Sequence, residues 1–395
     1  MTSTSAQMRQ YQGPAIFSFG FRPFFLAGAL FAAALPLTIV ASMSGGAAVG
    51  EPYGAIAYHG HEMVFGFLAA IISGFLLTAV PNWTGRFPVV GSRLAAVFTL
   101  WAAGRVAMIA AGTIGMSAAA IIDVSYLIVF DFMIGREILK GRNWRNLPVA
   151  VAVGLLAIGN ILWHAHALGG IAPQFGARWG LAVVAMLIAL IGGRITPSFT
   201  RNWLMRSGRA AGSAAAGPLD SLSLAWTGGT LAYWLIDADG AAVSAALFVS
   251  AALHIARLAR WRGWRAAAEP LVAILHIGYL WLPISLAMLG ASAAFPSSLS
   301  LSTALHSLTA GAAGVMILAV TTRATLGHTG RPLTADAATI AIFALVNLGA
   351  ILRVAAPFLA RDYAAAMAAA AFIWSGAFLL FAIVYGRYLL NPRCE

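Results

Sequence analysis

Twelve long runs of mostly apolar residues constrain this chain more than any other feature. A helix needs about 20 such residues to cross the hydrocarbon core of a bilayer. The runs lie near 24–42, 57–80, 94–114, 117–139, 148–168, 179–195, 219–236, 241–260, 270–289, 301–322, 335–356 and 364–389. The Ser and Gly within them are compatible with lipid, because membrane helices use small residues to pack closely. The expected fold is all-α: a polytopic membrane protein of about twelve transmembrane helices, forming one transmembrane domain over residues 1–395. Composition agrees. With 61% hydrophobic and 9% charged residues, the chain could not solvate its surface as a soluble domain. The first 20 residues are polar and loosely basic and the first run is long, so it reads as a signal anchor rather than a cleaved signal peptide.

A net charge of +12 would suggest nucleic acid in a soluble protein. Here the positions of the basic residues give another reason. With the N-terminus inside, every Lys and Arg except Arg105, Arg178, Arg353 and Arg361 falls on the cytoplasmic side. That asymmetry is the positive-inside signature, and it predicts N-in/C-in topology in the cytoplasmic membrane. The charge then marks orientation and contact with anionic lipid, and no nucleic-acid partner is expected. Trp83, Trp144, Trp203, Trp261 and Trp264 fall on predicted inner loops, where an aromatic belt belongs. The longest loop, about 202–218, reads as a flexible linker. The single cysteine, Cys394, excludes internal disulfides, thiolate clusters and covalent c-type haem.

Polar groups at membrane depth need a partner or a role. Orientation gives each of the eight His a depth, at 1.5 Å per helical residue. His59, His61, His164, His166 and His306 then share the outer third, with Glu62, Asp123 and Asn160 at similar depth. His254 and His276 lie in the inner half, and His328 in an inner loop. A lone His near an interface is usually a hydrogen-bonding residue between helices. Five at one depth on three helices favour a metal or haem site, since imidazole is the commonest metal ligand. In each His-x-His pair the two rings point about 200° apart on a regular helix, so they bind one metal only if the helix is irregular there. Glu62 and Asp123 are candidate catalytic proton carriers. Arg105, mid-span, is expected to pair with Asp123, Asp131 or a haem propionate. Arg22, Arg194 and Arg323 lie at inner helix ends, where they either snorkel or clamp a propionate or quinone headgroup.

Several long segments resemble the NnrS family: Gly20-Phe-Arg-Pro-Phe-Phe25, Tyr58-His-Gly-His-Glu-Met63, Gly74 to Gly85, Gly192 to Thr200, Leu275-His-Ile-Gly-Tyr279, Leu305 to Gly311, and Ala324 to Leu333. The likeness runs from about residue 13 to 390, with Tyr58 where relatives carry Trp. It implies a multi-pass protein of the bacterial inner membrane that contains haem and copper and is linked to nitric oxide metabolism, denitrification or nitrosative stress. His59, His61, His164, His276, His306 and His328 carry over as candidate ligands. With no cysteine for covalent attachment, the haem is expected to be b-type. His59, His276, His306 and His328, with Arg22 and Arg323, are its candidate binding residues; His59, His61, His164, His166 and His306 are the candidate copper ligands. Two function classes stay open. One is an oxidoreductase that binds or reduces nitric oxide, with electrons from quinol or another donor. The other is a transporter or metal-handling protein for copper, haem or an iron–nitrosyl species. A reporter fused after the last residue tests the topology: a cytoplasmic reporter is expected to be active there, and an exported one silent.

Overall fold

The computed structural model describes residues 11–46, 49–86, 88–169, 174–209, 216–359 and 361–394, and among these there is no β-strand. The long helices are α1 (Phe21–Met43), α2 (Ala55–Thr84), α3 (Gly91–Ile109), α4 (Met116–Lys140), α5 (Leu147–Leu168), α6 (Gln174–Arg206), α7 (Pro218–Ile236), α8 (Ala241–Arg260), α9 (Pro270–Ala294), α10 (Leu301–His328), α11 (Ala337–Ala355) and α12 (Tyr363–Leu390). Eleven are long and apolar enough to cross a membrane. The exception is α7, whose 19 residues include Asp220, two Ser, two Thr and two Gly.

Local chemistry sets many of the ends. Ser300 and Asp336 cap α10 and α11, accepting from the Thr303 and Thr339 amides at 3.2 and 2.8 Å. Pro218 and Pro270 open α7 and α9, where a missing amide proton costs nothing. Hydroxyls inside the helices bond back to the carbonyl four residues earlier. Ser73, Thr78, Thr200 and Ser285 all do so, which satisfies them without water.

Some helices run further than hydropathy indicates. The sixth expected run ends near 195, yet α6 continues to Arg206. It carries Asn202 and Trp203 out of the expected loop; residues 210–215 of that loop lie outside the described ones. His328, expected in a loop, is the last residue of α10. Hydropathy reads where a helix leaves lipid, and backbone hydrogen bonding continues beyond that point.

Contacts divide the chain into two compact units. One comprises Met1–Val183, Thr325–Arg331 and Phe381–Glu395; the other comprises Val184–Ala324 and Pro332–Leu380. In the first, α3 and α5 pack against α4, and α1 against α2. In the second, α8 lies along α9 and also against α7.

Close approaches depend on glycine. A Cβ on Gly176 would collide with the Trp163 backbone, whereas one on Gly229 would meet nothing within 4 Å. Gly176→Val is therefore expected to destabilise the protein by about 2–3 kcal/mol and Gly229→Ala to leave it unchanged, read as thermal unfolding in detergent.

Candidate metal centre

Four helices of the first unit bring a polar cluster together. Helix α2 supplies His61 and Glu62, α3 Arg105, α4 Asp123, and α5 Asn160 and His164; all six are buried. The α-helical register of α2 breaks immediately after His61, and Glu62–Leu68 is a π-helix. A π-segment changes which carbonyls find a partner and is common at functional sites. Here Trp101 Nε1 donates to the Gly66 carbonyl at 3.0 Å. A side chain on Gly66 would press on the Arg105 guanidinium, so glycine lets that cation reach the cluster.

Arg105 bridges the two carboxylates. Its Nη1 donates to Glu62 Oε1 at 2.8 Å, and its Nη2 donates to Asp123 Oδ1. Asp123 Oδ2 accepts from Asn160 Nδ2 at 2.8 Å and lies 3.0 Å from His164 Nε2 and 3.2 Å from His61 Nε2. Because the Asn160 amide nitrogen faces a carboxylate, its oxygen faces His61 Nε2, at 2.9 Å. That nitrogen therefore carries a proton. The other ring nitrogen, Nδ1, is 2.8 Å from Glu62 Oε1, so one proton lies between them. Whichever of the two holds it, Arg105, His61, Glu62 and Asp123 sum to zero charge. Neutrality is what allows ionic groups into so apolar a place.

His61, Asp123 and His164 each offer a ligand atom, and the three atoms lie within 4.8 Å of one another. The two measured edges, 3.0 and 3.2 Å, approach the ~3.3 Å separation of donors around a tetrahedral ion with bonds of ~2.0–2.1 Å. Glu62 Oε2, Arg105 Nε and His164 Nδ1 are buried without a hydrogen-bond partner. Buried polar atoms are nearly always paired, so this concentration of exceptions suits a centre that takes a further ligand.

The other expected site residues lie elsewhere. His59 and His166 are not members of the three-residue group. His166 lies beside Phe175, with ring centroids 6.0 Å apart. His306 belongs to the second unit. Its Nδ1 is 2.7 Å from the Ser302 carbonyl and 3.0 Å from Arg353 Nη2. The carbonyl only accepts and the guanidinium only donates, so Nδ1 meets one partner of each kind. His276 Nε2 pairs with Thr200 Oγ1 at 2.8 Å. His328 packs against Phe19 and Phe21, with ring centroids 5.2 and 5.6 Å away. Arg22 Nη1 donates to the Leu389 and Asn391 carbonyls at 2.8 and 2.6 Å, closing the end of α12. The Arg323 guanidinium lies 4.1 Å from the centre of the Phe199 ring.

Two features escaped the sequence reading. His254, expected in the inner half, is fully buried. Arg257 donates to Tyr279 Oη at 2.6 Å, so the Tyr279 hydroxyl donates to His254 Nδ1, at 2.8 Å. The second feature is an internal repeat. One constant offset relates His61 to His306, Gly66 to Gly311, Thr84 to Thr329, Gly85 to Gly330 and Arg86 to Arg331. It also relates the π-helices Glu62–Leu68 and Ser307–Ala313. Gly85 and Gly330 both have positive φ, +67° and +77°. In these two π-helices a carbonyl accepts from an indole: Gly66 from Trp101, and Ala310 from Trp374 at 3.1 Å. Aligning the chain with itself would have found this, because the matched residues are identical.

The NnrS family model, described as NnrS protein, matches residues 15–393. The chain belongs to the NnrS family. No curated protein matches it. The match covers every residue of the His61–Asp123–His164 group in this NnrS chain, and its π-helical repeat.

Removing Arg105 leaves two buried carboxylates without their cation. Arg105→Met is expected to cost about 3–5 kcal/mol. Arg86 pairs with Glu137 where the side chains are 39% and 25% exposed, so Arg86→Met is expected to cost at most about 1 kcal/mol. Thermal unfolding of the two variants in detergent makes the comparison.

Proposed function

We propose that this NnrS chain is a membrane metalloprotein of the bacterial inner membrane. It binds nitric oxide at the His61–Asp123–His164 centre and either reduces it or limits nitrosative stress. The observation that carries this reading is the meeting of two imidazoles and a carboxylate inside apolar helices, on a neutral, hydrogen-bonded platform. Family membership supplies the link to nitric oxide.

The donor set fits a borderline divalent ion. Two nitrogens and one carboxylate oxygen, with no thiolate, suit Cu2+ or non-haem Fe2+; copper is the ion the family resemblance implies. Bound there, the metal would supply a Lewis-acidic, redox-active centre. The residues do the rest. His61 Nε2, His164 Nε2 and Asp123 Oδ2 would hold the ion, so both imidazoles must give up their Nε2 protons. Glu62 keeps its proton bridge to His61 Nδ1 and fixes the ring, as carboxylates beside metal-bound His commonly do. Arg105 holds both carboxylates in place, and Asn160 Nδ2, donating to Oδ2, orients Asp123. Glu62, next to the centre and with Oε2 unpaired, is the group placed to pass a proton.

A b-type haem fits His306 best among the remaining histidines. The ring would supply a nitrogen to the iron, and Arg353, 3.0 Å from Nδ1, would suit a propionate. Nitric oxide is small and apolar and reaches such sites through lipid. The electrons come from quinol or a separate donor.

Metal analysis of purified protein tests the centre. Wild type is expected to hold one tightly bound copper per chain and His61→Ala or Asp123→Ala none. Asn160→Ala, which removes the amide that donates to Asp123, is expected to weaken binding about 10–100-fold. Full copper retention in the Asp123 and His61 variants would place the metal elsewhere.

A further inference from the structure

Apart from the metal centre, the second unit has a cavity of about 350 Å3 between α8, α9 and the turn joining them. That size falls within the ~300–1,000 Å3 of small-molecule sites. Ile255, Leu258, Trp264, Ile277 and Leu280 form its walls, and His276 is the one polar side chain among its lining residues. Ile255, Trp264, Ile277 and Leu280 are exposed on the protein, so the groove opens toward lipid. Arg262 and Arg265, on the connecting turn, mark that end as the membrane interface.

The chemistry of the ring is fixed. Thr200 has one hydroxyl proton, which it donates to the Thr196 carbonyl at 2.8 Å. Thr200 Oγ1 must therefore accept from His276 Nε2, at 2.8 Å. The neutral ring then carries its lone pair on Nδ1. Gly263 lies over the face of the ring, where any side chain would strike Nδ1, Cγ and Cε1. The groove thus presents apolar walls, an indole and a single acceptor nitrogen.

We propose that this groove binds the ring of a lipid-soluble quinol, whose hydroxyl donates to His276 Nδ1. An acyl chain makes no use of an acceptor. A phospholipid phosphate has no proton to give it, and the ammonium or hydroxyl of a headgroup brings no flat apolar ring for the walls. A quinol has a flat ring for the apolar walls and Trp264, a hydroxyl for Nδ1, and an apolar tail that remains in lipid. The need for such a carrier rests on the nitric oxide reading above, since reduction requires electrons; the recognition rests on the groove alone.

The test uses the full-length protein in detergent under anaerobic conditions, with decylubiquinol as probe and decylbenzene as the ring-and-tail control. Binding is read as the quenching lost when Trp264→Phe is compared with wild type. Decylubiquinol is expected to half-saturate at least tenfold below both decylbenzene and oxidised decylubiquinone, which has no hydroxyl. His276→Phe removes that preference, His276→Gln, with an amide oxygen to accept, keeps part of it, and Leu280→Trp fills the groove and abolishes quenching. Equal affinity for quinol and decylbenzene, or no effect of His276→Phe, would reduce the groove to an acyl-chain crevice. Loss of a Soret band in His276→Phe would make the ring an iron ligand and overturn the proposal. Copper measured on the same samples separates the two readings. Quinol binding without any metal contradicts the proposed function and leaves this site standing.

Discussion

Arg105 lies where lipid-spanning helices least tolerate an unpaired charge, and the polar interior of the first unit is arranged around it. Its two nitrogens hold Glu62 and Asp123, and those carboxylates in turn hold His61, His164 and Asn160. Each group alone would be expensive to bury. Together they sum to zero charge, and nearly every contact is a charge-assisted hydrogen bond, which is stronger than a neutral one. The result is a buried set of mutually held donors, where a bound ion interacts more strongly than it would in water.

The backbone cooperates with this arrangement. A regular helix aims His59 and His61 to different sides, and only His61 enters the cluster. The π-helix that follows moves the rest of α2 out of the usual register and leaves a carbonyl for Trp101. The same device recurs after His306, with Trp374 in the indole's role and Arg353 beside the imidazole. Repetition of a local irregularity, down to the positive-φ glycine past the helix, points to duplication of a histidine-bearing helix. It gives the chain two places where a histidine stands immediately before a π-helix.

Much of this was legible before any coordinates. Hydropathy located every long helix, because apolar length is the direct physical requirement for crossing lipid. Assigning an in/out sense gave His61, His164, Asp123 and Asn160 a common depth, and they do meet; Arg105 pairs with Asp123 as a mid-span cation must. Depth alone carries no azimuth. It could not tell His61 from His59, or His164 from His166, and it placed His306 with a group formed by other residues. Arg257, at the end of the eighth run, was assigned to the cytoplasmic side with the other topology-marking charges. It is buried instead, held by Asp220 and the Ala189 carbonyl. A buried arginine satisfied by partners distant in sequence leaves no local pattern to read.

The central claim is that two imidazole nitrogens, from His61 and His164, share one metal with Asp123. Pulsed EPR of the Cu2+-loaded protein measures this directly, because the remote nitrogen of each bound imidazole modulates the electron spin echo. The account predicts modulation from two equivalent-class imidazoles in wild type, from one in His61→Ala or His164→Ala protein reloaded at high copper, and from two in His306→Ala. Two imidazoles persisting in both the His61 and His164 variants, or none in wild type, would contradict it.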